Sequence, residues 1–137
     1  MQLRRQQQGM SIFGMIAILI MVGFFVLSAV RMVPVYMEFL SVRDIVSRAS
    51  VEAAQEQWSP ADIRRRLATN FNTNQINSLK AKQIEIYRKK GKTYIDANYE
   101  VRQPVFWRID SVLKFNDLQF EVGNPDPLLT PAPKRDE

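Results

Sequence analysis

A few clusters of side chains are the places where this chain could do chemistry. Asp96 and Glu100 stand four residues apart in a stretch of alternating polarity. Two carboxylates on one strand face could divide general acid and general base work, and Asp110 is a third acid for such a site. Ser111 and Lys114 have the Ser-x-x-Lys spacing, but a strand directs residues at that separation to opposite faces. Two basic clusters, Arg64-Arg65-Arg66 and Arg88-Lys89-Lys90-Gly91-Lys92, hold seven of the 19 basic residues. They read as candidate contacts to anionic lipid head groups or to an acidic patch on a protein partner. They also read as a solvated helix face and a charged hairpin tip that discourages edge pairing. Binding of nucleic acid is disfavoured against both.

Composition removes most other chemistry. With no cysteine there is no disulfide, thiolate zinc site or cysteine nucleophile. With no histidine there is no imidazole base, imidazole metal ligand or Ser-His-Asp triad. The five glycines form neither a GxGxxG nor a Walker pattern. No catalytic residue, cofactor site or metal site is assigned from the sequence, and no small-molecule substrate is evident.

The elements that position these residues begin with a membrane anchor. No charged side chain occurs from Gln6 to Val30, and all 14 acidic residues lie at or beyond Glu38. Met10 to Val30 is 21 residues without a charge, and as a helix it is roughly 31 Å long, close to the hydrocarbon thickness of a bilayer. Met10, Phe13, Ile16, Leu19, Phe24, Phe25 and Val30 are its expected lipid-facing side chains, and membrane lipids its expected surroundings. A cleaved secretory signal is the competing reading, with Leu27-Ser28-Ala29 as its cut; the apolar stretch is longer than such signals need. Basic residues flank both ends almost equally. The short N-terminal leader and the ease with which long domains translocate select a cytoplasmic N-terminus and a periplasmic C-terminal domain.

Outside the span, Arg31 can snorkel to head groups, Tyr36 is an interfacial aromatic, and Pro34 is expected to kink or break the helix. Val35, Phe39, Val42, Val46, Ala49 and Ala53 then form an amphipathic seam, which packs on its own domain or on a partner helix. Ser59-Pro60-Ala61-Asp62 opens a second helix with Ile63, Leu67 and Phe71 on its apolar face. The period changes to two after the asparagines of 70–77. Ile84 and Ile86 lead into a turn at 88–92, and Ile95, Ala97, Tyr99 and Val101 share one face of the returning strand. Val105, Trp107, Ile109, Leu113 and Phe115 share the next parity, and Leu118, Phe120 and Val122 suggest a fourth strand. Four of the seven prolines lie beyond Gly123, where a loose tail is expected.

The leader Arg4-Arg5-Gln6-Gln7-Gln8-Gly9 followed by Met10-Ser11-Ile12-Phe13 resembles the start of a type IV pilin. The resemblance implies Gly9-Met10 as a candidate processing site, although Gly14 stands where that family has an assembly glutamate. The chain up to about Val122 is also similar to a proteobacterial family of uncharacterised small inner-membrane proteins. That likeness is carried by Gln8-Gly9-Met10-Ser11, the span, Val33-Pro34-Val35-Tyr36-Met37-Glu38, Tyr99-Glu100-Val101-Arg102-Gln103-Pro104 and Ile109-Asp110-Ser111-Val112-Leu113-Lys114-Phe115. Members carry an aliphatic-glycine-asparagine turn where this chain has Phe106-Trp107-Arg108. The family is usually encoded beside type I signal peptidase and ribonuclease III, which implies a role near protein export.

The expected organisation is a basic leader over 1–9, a transmembrane helix over 10–30, an extracytoplasmic α+β domain over 31–122 and a proline-rich tail over 123–137. The domain is expected to combine amphipathic helices with a small antiparallel β-meander of three to four strands. The expected function is that of a non-enzymatic, single-pass protein of the bacterial inner membrane whose periplasmic domain binds or regulates another envelope protein, with signal peptidase as the candidate. A pilin-like subunit and a carboxylate-dependent envelope enzyme are the alternatives.

Overall fold

One helix runs through the molecule from end to end. In the computed structural model, which describes residues 11–134, α1 spans Ile12–Gln55, 44 residues. At 1.5 Å per residue it is about 66 Å long, twice what a bilayer core requires. Its two halves meet different surroundings. From Ile12 to Val33 the large apolar side chains are exposed, whereas Val35, Val42, Ile45, Val46, Ala49 and Ala53 are buried. The expected seam is thus present and packs on the chain's own domain.

The break expected at Pro34 does not occur, and α1 continues through it. Proline deletes one backbone hydrogen bond and strains one turn. Here the residues on both sides are tied to the domain: Arg31 reaches the Pro104 and Val105 carbonyls and Val35 is buried. Those contacts offset the local loss, and the proline ring itself stays exposed.

The second helix, α2, spans Pro60–Thr73 and starts as its sequence prescribes. The Ser59 hydroxyl accepts from the Asp62 backbone N–H at 3.3 Å, and the Asp62 carboxylate accepts from the Ser59 N–H at 3.1 Å. This reciprocal box satisfies two donors that a bare helix end leaves unpaired. Ile63, Leu67 and Phe71 are buried against α1 and the sheet. Such fully buried side chains each contribute about 1.5–3 kcal/mol, so the shared core, with Leu79, Ile84, Ile95, Leu118 and Phe120, holds the two helices to the strands.

Five antiparallel strands follow: β1 (Glu85–Lys89), β2 (Lys92–Asp96), β3 (Tyr99–Phe106), β4 (Ile109–Phe115) and β5 (Gln119–Glu121). The α+β class agrees with the sequence, but the strands divide between two sheets. One has the order β1-β2-β5 and the other pairs β3 with β4. The β1–β2 turn is only Lys90-Gly91, at φ 51° and 79°, the left-handed pair that a two-residue hairpin needs and that glycine adopts without strain.

The alternation from Ile95 to Val101 reads as one strand, yet the chain leaves the first sheet at Ala97-Asn98. Asn98 is the cause: its N–H donates to Asp96 Oδ1 at 3.1 Å, and its own Oδ1 accepts the Leu118 N–H at 2.9 Å. A side chain that takes over backbone bonding ends the ladder. Trp107, read from the sequence as sharing the strand parity of Val105 and Ile109, instead occupies the β3–β4 turn at φ 43° and is almost fully exposed.

The tail is docked, contrary to its composition. Gly123 N–H donates to the Ser50 carbonyl at 3.0 Å and the buried Ser50 hydroxyl donates to the Asn124 carbonyl at 2.6 Å. Further along, Leu128 N–H donates to the Gln119 carbonyl and Ala132 N–H to Gln119 Oε1. Proline makes this cheap, because a chain already restricted to extended conformations loses little entropy on being laid along a surface. Gly123, at φ 101°, lies against Ala54, where an added Cβ would touch at 3.4 Å.

Candidate functional site

The candidate features that the fold assembles lie where the bare half of α1 meets the folded half. Phe13, Ile16, Leu19, Phe24, Phe25 and Val30 are all exposed apolar side chains on α1. Among the described residues this is the helix long and apolar enough to cross a membrane, and its most apolar stretch is not buried. Met10 and Gly9, the remaining anchor position and the candidate processing site, lie outside the described residues, as does the basic leader.

Arg31 begins the polar half. Its guanidinium donates to the Pro104 carbonyl at 2.8 Å and to the Val105 carbonyl at 3.2 Å, so it bridges α1 to β3. A cavity of about 490 Å³ opens beside it, lined by Val30, Pro34, Val35, Glu38 and Gln103 among others. Tyr36 is exposed and its ring lies 5.8 Å from that of Phe39. Phe39 turns inward instead and stacks on Phe115 at 4.4 Å and 13°. On the other flank Ala29, Met32, Val33, Tyr36, Met37 and Leu113 line a second cavity of about 330 Å³, almost wholly apolar.

Glu38 was not singled out by sequence, although as the first acid after the apolar segment it is conspicuous. Its Oε1 accepts the N–H groups of Asn77 and Ser78, and its Oε2 accepts the Ser78 hydroxyl at 2.7 Å. One carboxylate therefore fastens the loop before β1 to α1. Nearby Tyr99 packs its ring on Phe115 at 5.0 Å. Its hydroxyl is sealed from solvent with no hydrogen-bond partner among the described residues. Burial, and secondarily the negative charge of Glu38, pushes its pKa up to about 12.

Asp96 and Glu100, read from the sequence as sharing one strand face, belong to different sheets. Asp96 ends β2 and accepts from Asn98 N–H and from Gln119 Nε2 at 2.7 Å. Glu100 belongs to the other sheet, faces solvent and lies 3.9 Å from Arg102. Asp110 sits opposite Pro104 near the β3–β4 turn. Ser111 and Lys114 are three positions apart on β4, with Ser111 opposite Gln103 and Lys114 opposite Glu100. Among the described residues no three acidic side chains are grouped so as to hold a metal ion.

The basic clusters are partly absorbed by the fold. Arg64 donates to the Ile84 carbonyl at 3.3 Å, and Arg66 lies 3.6 Å from Glu52 with its guanidinium over the Trp58 ring. Lys89 donates to the Lys134 carbonyl and Lys92 pairs with Glu121 at 2.8 Å. Arg65, Arg88 and Lys90 remain exposed. Four of the seven basic residues thus make contacts within the fold.

Compared with known proteins, residues 31–115 match a family model described as "Domain of unknown function (DUF4845)". No curated protein and no solved structure gives a significant match. The matched segment begins at Arg31 and ends at Phe115, the residue that stacks on Phe39, so it takes in both flanks of the site described above.

Proposed function

This chain belongs to the family described as a domain of unknown function (DUF4845), and from that premise we propose that it is a membrane-tethered binding protein without enzymatic activity. In this reading α1 is a single span of the bacterial inner membrane, retained rather than cleaved, with the N-terminus cytoplasmic and the folded domain periplasmic. The domain binds or regulates another envelope protein. One observation carries the reading: the exposed apolar half of α1 is continuous with the helix whose other half is the spine of the core. A rigid helix of this kind holds a domain at a fixed height above a bilayer instead of on a flexible leash.

The binding surface in this reading is the apolar flank of Met32, Val33, Tyr36, Met37 and Leu113, which leaves an unfilled cavity directly above the span. Exposed apolar surface of this kind marks protein–protein or membrane contacts. Its height suits a partner that is itself anchored in the same membrane. Type I signal peptidase is the first partner to test, because the sequence resembles a family usually encoded beside it. The placement of Asp96 on one sheet and of Glu100 on the other favours binding over a carboxylate pair on one strand face.

The test is site-specific photocrosslinking in intact membranes, with the probe at Met37 or Leu113 and a control probe at the fully exposed Leu129. An adduct with one envelope protein at the first two sites and not at the third supports the reading. Probes that capture only lipid and background proteins overturn it. A pilin-like subunit remains as a second reading, since a helix half bare and half packed on a sheet also suits a filament subunit. A mature N-terminus at Met10 would favour it; a chain that retains its leader would exclude it.

A further inference from the structure

We propose that the β3–β4 turn, with Trp107 and Ile109 at its end, is a second membrane contact that inserts into the head-group and upper acyl region of the bilayer beside α1. The proposal rests on the reading of α1 as a span. It starts from how the β3–β4 hairpin is laid along the helix. Phe115, paired with Tyr99, stacks on Phe39. Leu113, paired with Val101, shares a cavity with Ala29, Val33 and Tyr36. Pro104, paired with Asp110, receives the Arg31 guanidinium on its carbonyl. Each step along the hairpin toward its turn is therefore a step down α1 toward the apolar segment.

The turn lies beyond the last of these contacts. From Val105, the last residue that Arg31 holds, to Trp107 the chain advances roughly 6 Å at strand rise, the axial length of about four helical residues. A tilt of the hairpin shortens that descent without reversing it. Trp107 and its neighbours are thereby brought below Arg31, alongside the last turns of the apolar segment that ends at Val30.

The side chains there suit that depth and not water. Trp107 is 90% exposed and Ile109 66%, whereas Val101, at the other end of the hairpin, is buried. Apolar exposure rises toward the turn. Tryptophan is the residue that gathers at membrane interfaces, with an apolar body and a polar N–H. Arg108 has a long stem that can keep its charge among phosphates, and Arg102 and Lys114 extend the same cationic character upward on exposed positions. Asp110, opposite Pro104 at the level of Arg31, stays in the hydrated layer and limits the insertion to the turn itself. Trp107 also holds a left-handed backbone, φ 43°, that glycine would adopt without strain. A bulky residue kept in such a conformation points to a use for its side chain.

The experiment uses the full chain reconstituted into phosphatidylethanolamine–phosphatidylglycerol vesicles whose acyl chains are brominated near the head group or near their ends. The chain has two tryptophans, and Trp58 lies beyond the far end of α1, roughly 35 Å along the helix from Arg31. Shallow bromines are expected to remove most of the emission of Trp107, and Trp107→Phe to abolish the quenchable fraction while leaving Trp58 emission unchanged. A span reporter, Phe25→Trp in the Trp107→Phe background, is expected to be quenched from within the acyl region. If that reporter is quenched but the wild type loses no more emission than Trp107→Phe, the hairpin contact is wrong and the span stands. If the span reporter is not quenched either, the anchor reading fails and the hairpin contact falls with it.

Discussion

Replacing Tyr99 by phenylalanine is expected to stabilise the domain, the reverse of what removing a buried hydroxyl usually does. A tyrosine whose hydroxyl is hydrogen-bonded loses about 1 kcal/mol on that change. The Tyr99 hydroxyl has no partner among the described residues, so folding strips it of water and returns nothing. An unmade bond of this kind is worth about 1–3 kcal/mol of penalty. Because the rest of the side chain is only half-buried, the lower end, about 1 kcal/mol, is the appropriate figure. The ring contacts with Phe115 are kept in the variant. For a domain of this size 1 kcal/mol raises the melting temperature by about 4–8 °C. Thermal unfolding of the detergent-solubilised chain, followed by circular dichroism, reads that shift. Alkali supplies a second readout. The folded pKa is raised from 10.0 to about 12, so the folded state binds the proton more tightly than the unfolded one. The associated stability is complete below the unfolded value and is lost as pH rises through the folded one. Wild type is thus expected to lose stability relative to Tyr99→Phe between about pH 10 and 12. A variant that is less stable at neutral pH, with no divergence in alkali, would refute the reasoning and show that the hydroxyl is hydrogen-bonded after all.

Two further perturbations follow from the same geometry. Glu38→Ala deletes the acceptor of two backbone N–H groups and one hydroxyl; with Asn77 open to water, a loss of about 2 kcal/mol is expected in urea unfolding, and Glu38→Gln is expected to recover part of it. Ser59→Ala removes the cap of α2 and is expected to lose about 1 kcal/mol. The hydrogen bonds of Asp62 with Ser59 hold its carboxyl below the ordinary 3.8. Wild type is therefore expected to retain that stabilisation above the carboxylate range and lose it as pH falls through the lowered value, a loss that an acid titration of Ser59→Ala should show to be smaller.

Much of the helical organisation was legible before folding because it depends on neighbours in sequence. The apolar run without charge, the Ser59-Pro60-Ala61-Asp62 start and the seam from Val35 to Ala53 each express a local rule, and each appears in the structure. The exceptions are places where a local rule met a distant contact. Pro34 carries a real local penalty, but Arg31 and Val35 are fastened to the domain across it. The period-two pattern through Ala97-Asn98 conceals a change of sheet, because the Asn98 side-chain Oδ1 accepts the N–H of Leu118, 20 residues away. Glu38 went unnoticed as a clamp for the same reason, since its partners are 39 and 40 residues on.

By itself the sequence determined the periodicities and the composition: an apolar segment of bilayer length, two helices, short strands, and a chain without histidine or cysteine. These depend on side-chain type and on fixed repeats of 3.6 and 2 residues. Only the tertiary structure decided that α1 is continuous, that the strands form two sheets, and that the proline-rich tail is docked. It also decided that the β3–β4 hairpin is laid against α1, with Phe115 on Phe39 and the Pro104 carbonyl on Arg31. Those outcomes rest on contacts between residues far apart in the chain, whose strength depends on what burial brings together and not on what lies next in sequence.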